Sequence, residues 1–134
     1  MSQTSIIAIL LGTLVYLACY YILFGVSFFY ESWTKGILYT PETKNPISSG
    51  NLVYVGVMGL LYSFFHNLFM IMSERSGMAD GIKTSLMLTL VHFGIPLAIY
   101  FKLNEYSWNK YFKILFVFLS IQILVGAVIG LKAF

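Results

Sequence analysis

Residues 114–131 read ILFVFLSIQILVGAVIGL, a run with no charged side chain. Wound as an α-helix rising about 1.5 Å per residue, it covers about 27 Å, close to the hydrocarbon thickness of a bilayer. Working outward from it, three further runs of the same kind appear at residues 85–101, 52–72 and 6–29. Lipid offers backbone groups no hydrogen-bond partner, so a spanning segment must be a helix or a strand of a closed barrel. Continuous apolar runs lack the in–out alternation of barrel strands. The expectation is therefore an all-α integral membrane protein: a single transmembrane domain over residues 1–134, built as a four-helix up-down-up-down bundle.

Composition agrees. The chain is 59% hydrophobic and 10% charged, whereas soluble domains are about a quarter charged. Its charges fall in three clusters, at residues 31–44, 74–83 and 102–113, with Lys132 alone near the end. The formal net charge of +3 is spread over helix ends and forms no basic run, so lipid headgroups are the expected partner and nucleic acid is not. Cys19 is the single cysteine; it excludes an internal disulfide and reads as a small apolar helix residue. The first apolar run has no Lys or Arg ahead of it and exceeds a signal-peptide core, so it reads as a retained span.

The connections define two sides. Side A holds the first and third connections, with Lys35, Lys44, Lys102, Lys110 and Lys113; side B holds both termini and the second connection, with Arg75, Lys83 and Lys132. The positive-inside rule then puts side A in the cytoplasm and the termini outside. Trp33 and Trp108 both fall on side A, where amphipathic rings anchor at the interface.

Each span carries two small residues four apart: Ala8 and Gly12, Gly59 and Ser63, Gly94 and Ala98, Gly126 and Gly130. Such pairs let helix backbones approach closely, which is a main source of helix association in lipid. They leave open whether the partner helix lies in this chain or another. Pro96 should kink the third span near Gly94, because its ring removes a backbone donor.

Polar side chains at membrane depth are functional candidates. Here they are His66, Asn67, His92 and Gln122. Counted from the span ends, His66 and His92 should lie level on adjacent helices, about 10 to 12 Å from side B. So placed, they could ligate a b-type haem or a metal ion or pass a proton, with Gln122 completing the site. The competing reading is that interhelical hydrogen bonds satisfy them. Ser73, Glu74, His66 and Asp80 also gather toward side B, with no spacing that marks a hydrolase. There is no zinc-type spacing, phosphate loop or nucleophile motif.

Several short motifs point to a family. They are Leu23-Phe24-Gly25 with Phe29 and Trp33-Thr34-Lys35, then Asp80-Gly81-Ile82, and Gly126-Ala127-Val128-Ile129-Gly130. In these the chain resembles, over nearly its full length, the small four-span bacterial membrane proteins of domain-of-unknown-function family seventeen-sixty-one. It departs from that pattern at Phe24-Gly25-Val26, where the family tends to have Tyr-Ser-Pro. It departs again at Val117-Phe118, where the family has Tyr-His. The resemblance implies a bacterial inner-membrane location and carries no activity.

Three functions are compatible with these features. The first is a non-enzymatic packing or accessory subunit, or a homo-oligomer, joined to other membrane subunits or to itself through exposed grooves at Gly126 and Gly130. The second is a small haem- or metal-binding electron- or proton-transfer protein using His66 and His92. The third is a small transporter or channel.

Overall fold

The structure is a computed structural model and describes residues 3–26, 29 and 47–132. Those residues form four long helices and no strand. They are α1 (Gln3–Gly25), α2 (Ser49–Met72), α3 (Met78–Leu103) and α4 (Trp108–Lys132). All four are long and apolar enough to cross a membrane.

Each helix is longer than the uncharged run that announces it, apart from α1, whose expected far end approaches residues outside the description. α3 begins at Met78, seven residues before the expected 85, and α4 begins at Trp108, six before the expected 114. Charged residues ended the apolar runs, yet Asp80, Lys83, Lys110 and Lys113 sit comfortably in helical turns that project toward the headgroups. Asp80 occupies the first turn of α3, where a carboxylate meets the positive end of the helix dipole, and Lys83 lies 3.9 Å from it. Both described interhelical connections shrink accordingly, to residues 73–77 and 104–107. Glu74, Gly77 and Glu105 adopt positive φ in these tight turns. The Ser48 side chain caps α2 by accepting from the Asn51 amide.

Neighbouring helices run antiparallel. Gly12 faces Ser63, and Gly59 faces Tyr16, across α1 and α2. Gly77 and Gly81 face Gly130 and Gly126, while Gly94 faces Tyr111 and Leu115, across α3 and α4. Helix α4 is the hub, packed along α1 and most extensively along α3; α2 leans on α1 and touches α3 at few places. The core divides into two clusters. Ala8, Ile121, Val125 and Ile129 fill the side B half, and Phe24, Phe101, Tyr111, Ile114 and Val117 fill the side A half. Outside, Leu14, Val53, Phe65 and Phe116 are each more than half exposed, as expected of side chains solvated by lipid rather than water.

Pro96 is accommodated by a change of helix type. Residues Leu90–Gly94 form a π turn, in which the Ile95 amide donates to the Leu90 carbonyl, five residues back. The Tyr111 hydroxyl donates to the Gly94 carbonyl at 3.0 Å and ties this turn to α4.

Trp108 opens α4 half exposed, edge-on to Tyr111, which in turn packs on Phe101; Tyr106 packs on Tyr100 and Phe101 nearby. Trp33, its expected partner on side A, lies outside the described residues.

Candidate ligand site

The tightest contact in the bundle is between α3 and α4. A Cβ placed on Gly81 would collide with the Gly126 carbonyl, one on Gly126 with Ser85, and one on Gly130 with the Gly77 carbonyl. The gap is so narrow that the Gly77 amide donates to the Gly130 carbonyl at 2.9 Å, directly between helices. Gly126 and Gly130 are thus buried within this chain. The exposed groove that motivated a packing-subunit reading is filled by α3, because α3 starts early enough to bring Gly77 and Gly81 opposite them.

The other small residues also line internal contacts. Ala8 is fully buried, Gly12 lies against Ser63 and Ile129, and Gly59 lies against Tyr16. Gly94 faces Leu115 and Tyr111, and Ala98 packs on the side A core.

Close approach of α3 to α4 sets up a polar chain. The Ser85 hydroxyl donates to the Gln122 carbonyl at 2.6 Å. The Tyr62 hydroxyl lies 3.2 Å from Ser85 Oγ and 3.1 Å from His66 Nδ1, and Ser85 Oγ is 3.4 Å from the same nitrogen. Each hydroxyl has one proton, and that of Ser85 is committed to Gln122. The direction of the bond between Tyr62 and His66 follows the imidazole tautomer. Ser63 Oγ and Asn67 Oδ1, on the same face of α2, are buried without a partner.

His66 and His92 do not share a site. His66, six residues from the end of α2, lies about 9 Å in; His92, fourteen residues into α3, lies about 21 Å in. His66 accordingly meets Ser85, two helical turns before His92. The expectation that they lie level took α3 to start at 85, and the early start moves His92 to the middle of the membrane. The two rings therefore lie about two helical turns apart along the bundle rather than level. Ser73 donates its hydroxyl to the Phe69 carbonyl, and Asp80 neighbours Lys83.

His92 instead borders a cavity of about 380 Å³ to which all four helices contribute. Tyr16 comes from α1, Tyr62 and Phe65 from α2, Leu88, Thr89, His92 and Phe93 from α3, and Phe118 and Gln122 from α4. Two aromatic pairs form much of the wall, Tyr16 with Tyr62 at 6.1 Å between centroids and Phe93 with Phe118 at 5.3 Å. Gln122 Oε1 is buried without a hydrogen-bond partner, and Thr89, only 5% exposed, lies beside the Tyr62 hydroxyl. Phe65 and His92 are both exposed, which sets the mouth between α2 and α3, where those helices barely touch. A second hollow of about 600 Å³, outside α1 and α2, is walled by Leu17, Ala18, Ile22 and neighbours with almost no polar surface.

Of the intramembrane polar residues singled out from sequence, Gln122 and His92 border the cavity, while His66 and Asn67 lie toward side B of it. Tyr62, Ser85 and Thr89 were missed. Tyr62 stands four before His66, and the series Gly77, Gly81, Ser85 repeats the four-residue spacing of Gly126 and Gly130. That series was hidden by the charges of Asp80 and Lys83 among its members.

Fold and site together define an integral four-helix membrane protein with a largely apolar cavity at mid-membrane, bordered by a few polar side chains. Compared with family models, with curated proteins and with solved structures, the chain matches none.

Proposed function

We propose that this chain is a non-enzymatic membrane protein that binds a lipid-soluble small molecule in the cavity between its four helices. The observation that carries this reading is a cavity of about 380 Å³ to which all four helices contribute and which is bordered by His92 of α3, an exposed residue. A histidine exposed at mid-span faces hydrocarbon unless a polar partner reaches it. The volume falls within the range of small-molecule sites, about 300 to 1,000 Å³.

The test is organic extraction of the chain purified in mild detergent, with mass analysis of what co-purifies. A stoichiometric molecule that is lost from a Thr89→Val, Gln122→Leu double variant of unchanged helicity is the expected outcome. A co-purifying lipid profile identical to that of the bulk detergent micelle in both proteins would refute the reading.

A further inference from the structure

We infer that the π turn Leu90–Gly94 is a hinge in α3, and that the Tyr111 hydroxyl of α4 is the latch that holds it closed. About this turn the side A half of α3, Ile95–Leu103, swings while the side B half, Met78–Thr89, stays fixed. The hinge stands without a ligand; its bearing on the cavity rests on the binding proposed above.

Backbone chemistry weakens this turn. Pro96 has no N–H, so the His92 carbonyl lacks the donor that stands four residues ahead in an α-helix. The Ile95 amide donates to Leu90 rather than to Val91, and Pro96, five residues on from Val91, has no amide to take its place. A helix whose hydrogen-bond ladder is thinned at one turn bends there first. Packing divides at the same point. The Met78–Thr89 half lies along α4 through the Gly81–Gly126 contact and the Ser85 bond, whereas the Ile95–Leu103 half touches α4 at few places. Ile95, Ile99, Tyr100 and Leu103 are each more than half exposed, and only Phe101 is buried, edge-on to Tyr111 at 5.8 Å.

Tyr111 closes the hinge. It is 8% exposed, and its hydroxyl donates to the Gly94 carbonyl at 3.0 Å. Gly94 presents no side chain, and Leu115 lies 3.4 Å from where a Cβ would stand, so α4 comes close enough for the hydroxyl to reach backbone. A few hinge residues absorbing a backbone change between two packed segments is a common device of moving helices. Two residues of the turn, His92 and Phe93, border the cavity, and Phe93 packs on Phe118 of α4. A swing about the turn therefore moves one edge of the mouth between Phe65 and His92.

The experiment uses the full chain in lipid nanodiscs, with Cys19→Ala removing the native thiol and spin labels on exposed positions. Leu14→Cys with Ile99→Cys reports the side A half of α3, and Leu14→Cys with Met87→Cys reports the side B half. Double electron–electron resonance should give a broader distance distribution for the first pair than for the second. Tyr111→Phe keeps the ring and removes the latch. It should raise the ratio of swung to latched conformers about threefold, the equivalent of an interhelical hydrogen bond of about 0.6 kcal/mol, and leave the Met87 pair unchanged. Pro96→Ala restores a donor and should narrow the Ile99 distribution. Hydrogen exchange of the unlabelled chain keeps the test decisive if a label disturbs packing: Tyr111→Phe should speed exchange over residues 90–103 and not over 78–89. Equal widths for the two pairs overturn the hinge. An Ile99 distribution and exchange rates that Tyr111→Phe leaves unchanged overturn it as well, by removing the latch. None of these readouts needs a ligand, so failure of the hinge is distinct from failure of the binding proposal, which organic extraction reads separately.

Discussion

Ser85 of α3 and Gln122 of α4 are joined side chain to backbone at 2.6 Å, and this bond sits where the packing interface between the two helices meets the cavity. On one side of it lie Gly77, Gly81, Gly126 and Gly130, with the helix backbones nearly in contact. On the other lie Thr89, His92 and the Gln122 side chain. The same crossing that holds the bundle closed on side B therefore opens it at mid-membrane.

Ser85→Ala removes the donor to Gln122 and the link to Tyr62. Interhelical hydrogen bonds in membranes average about 0.6 kcal/mol and reach about 1.7. We expect a loss of roughly 1 kcal/mol, measured by unfolding in mixed detergent micelles. Ser85→Val should cost more, because Gly126 leaves no room beside Oγ for a second methyl.

Gly81→Ala should be far worse than Gly56→Ala. The new methyl at position 81 meets the Gly126 carbonyl, which is backbone and cannot rotate away, whereas at position 56 it meets only Leu17 side-chain carbons at 3.6 Å or more. An overpacked core costs about 1 to 3 kcal/mol, and Gly81→Ala should fall at or beyond the top of that range. Gly50→Ala, with nothing within 4 Å, serves as the unstrained comparison.

Gly126 and Gly130 together changed to Leu should unfold or splay the single chain. The reading of these glycines as a groove for another subunit predicts a different result, loss of an oligomer with a folded protomer retained. Circular dichroism and size-exclusion mass on the same sample separate the two.

His66 and His92 should respond oppositely to the same substitution. His66→Leu breaks the hydrogen bond with Tyr62 at a fully buried position and should lower Tm. His92→Leu places an apolar side chain on an exposed, mid-span surface and should leave Tm unchanged or raise it in the absence of ligand. Equal destabilisation by both would contradict the separation of the two histidines.

Ser63→Ala removes a buried hydroxyl that has no partner and lies where a Cβ on Gly12 would come within 2.7 Å. Deleting an unsatisfied polar atom is neutral or stabilising. The expectation is an unchanged or higher Tm, and partial relief of the damage caused by Gly12→Ala when the two are combined.

Much of this architecture is readable along the chain. Four uncharged runs, each long enough to cross hydrocarbon, require four helices, since lipid can satisfy no free backbone group. The short connections require antiparallel neighbours. The intramembrane polar residues Asn67, His66, His92 and Gln122 stand out against their surroundings, and two of them do border the cavity.

What hydropathy could not supply was where a helix begins. Charged residues end an apolar run but not a helix, and Asp80 and Lys83 lie inside α3 rather than before it. That shift of seven residues decides the rest. It lays Gly77 and Gly81 against Gly130 and Gly126, turns an expected outer groove into an internal seam, and carries His92 two turns deeper than His66. Composition and run length determined that the chain is a four-helix membrane bundle, because the cost of bare backbone in lipid is a local property of each segment. Which small faces meet, which hydroxyl reaches which carbonyl, and where a cavity remains depend on the relative register of two helices. Only the tertiary structure decides that.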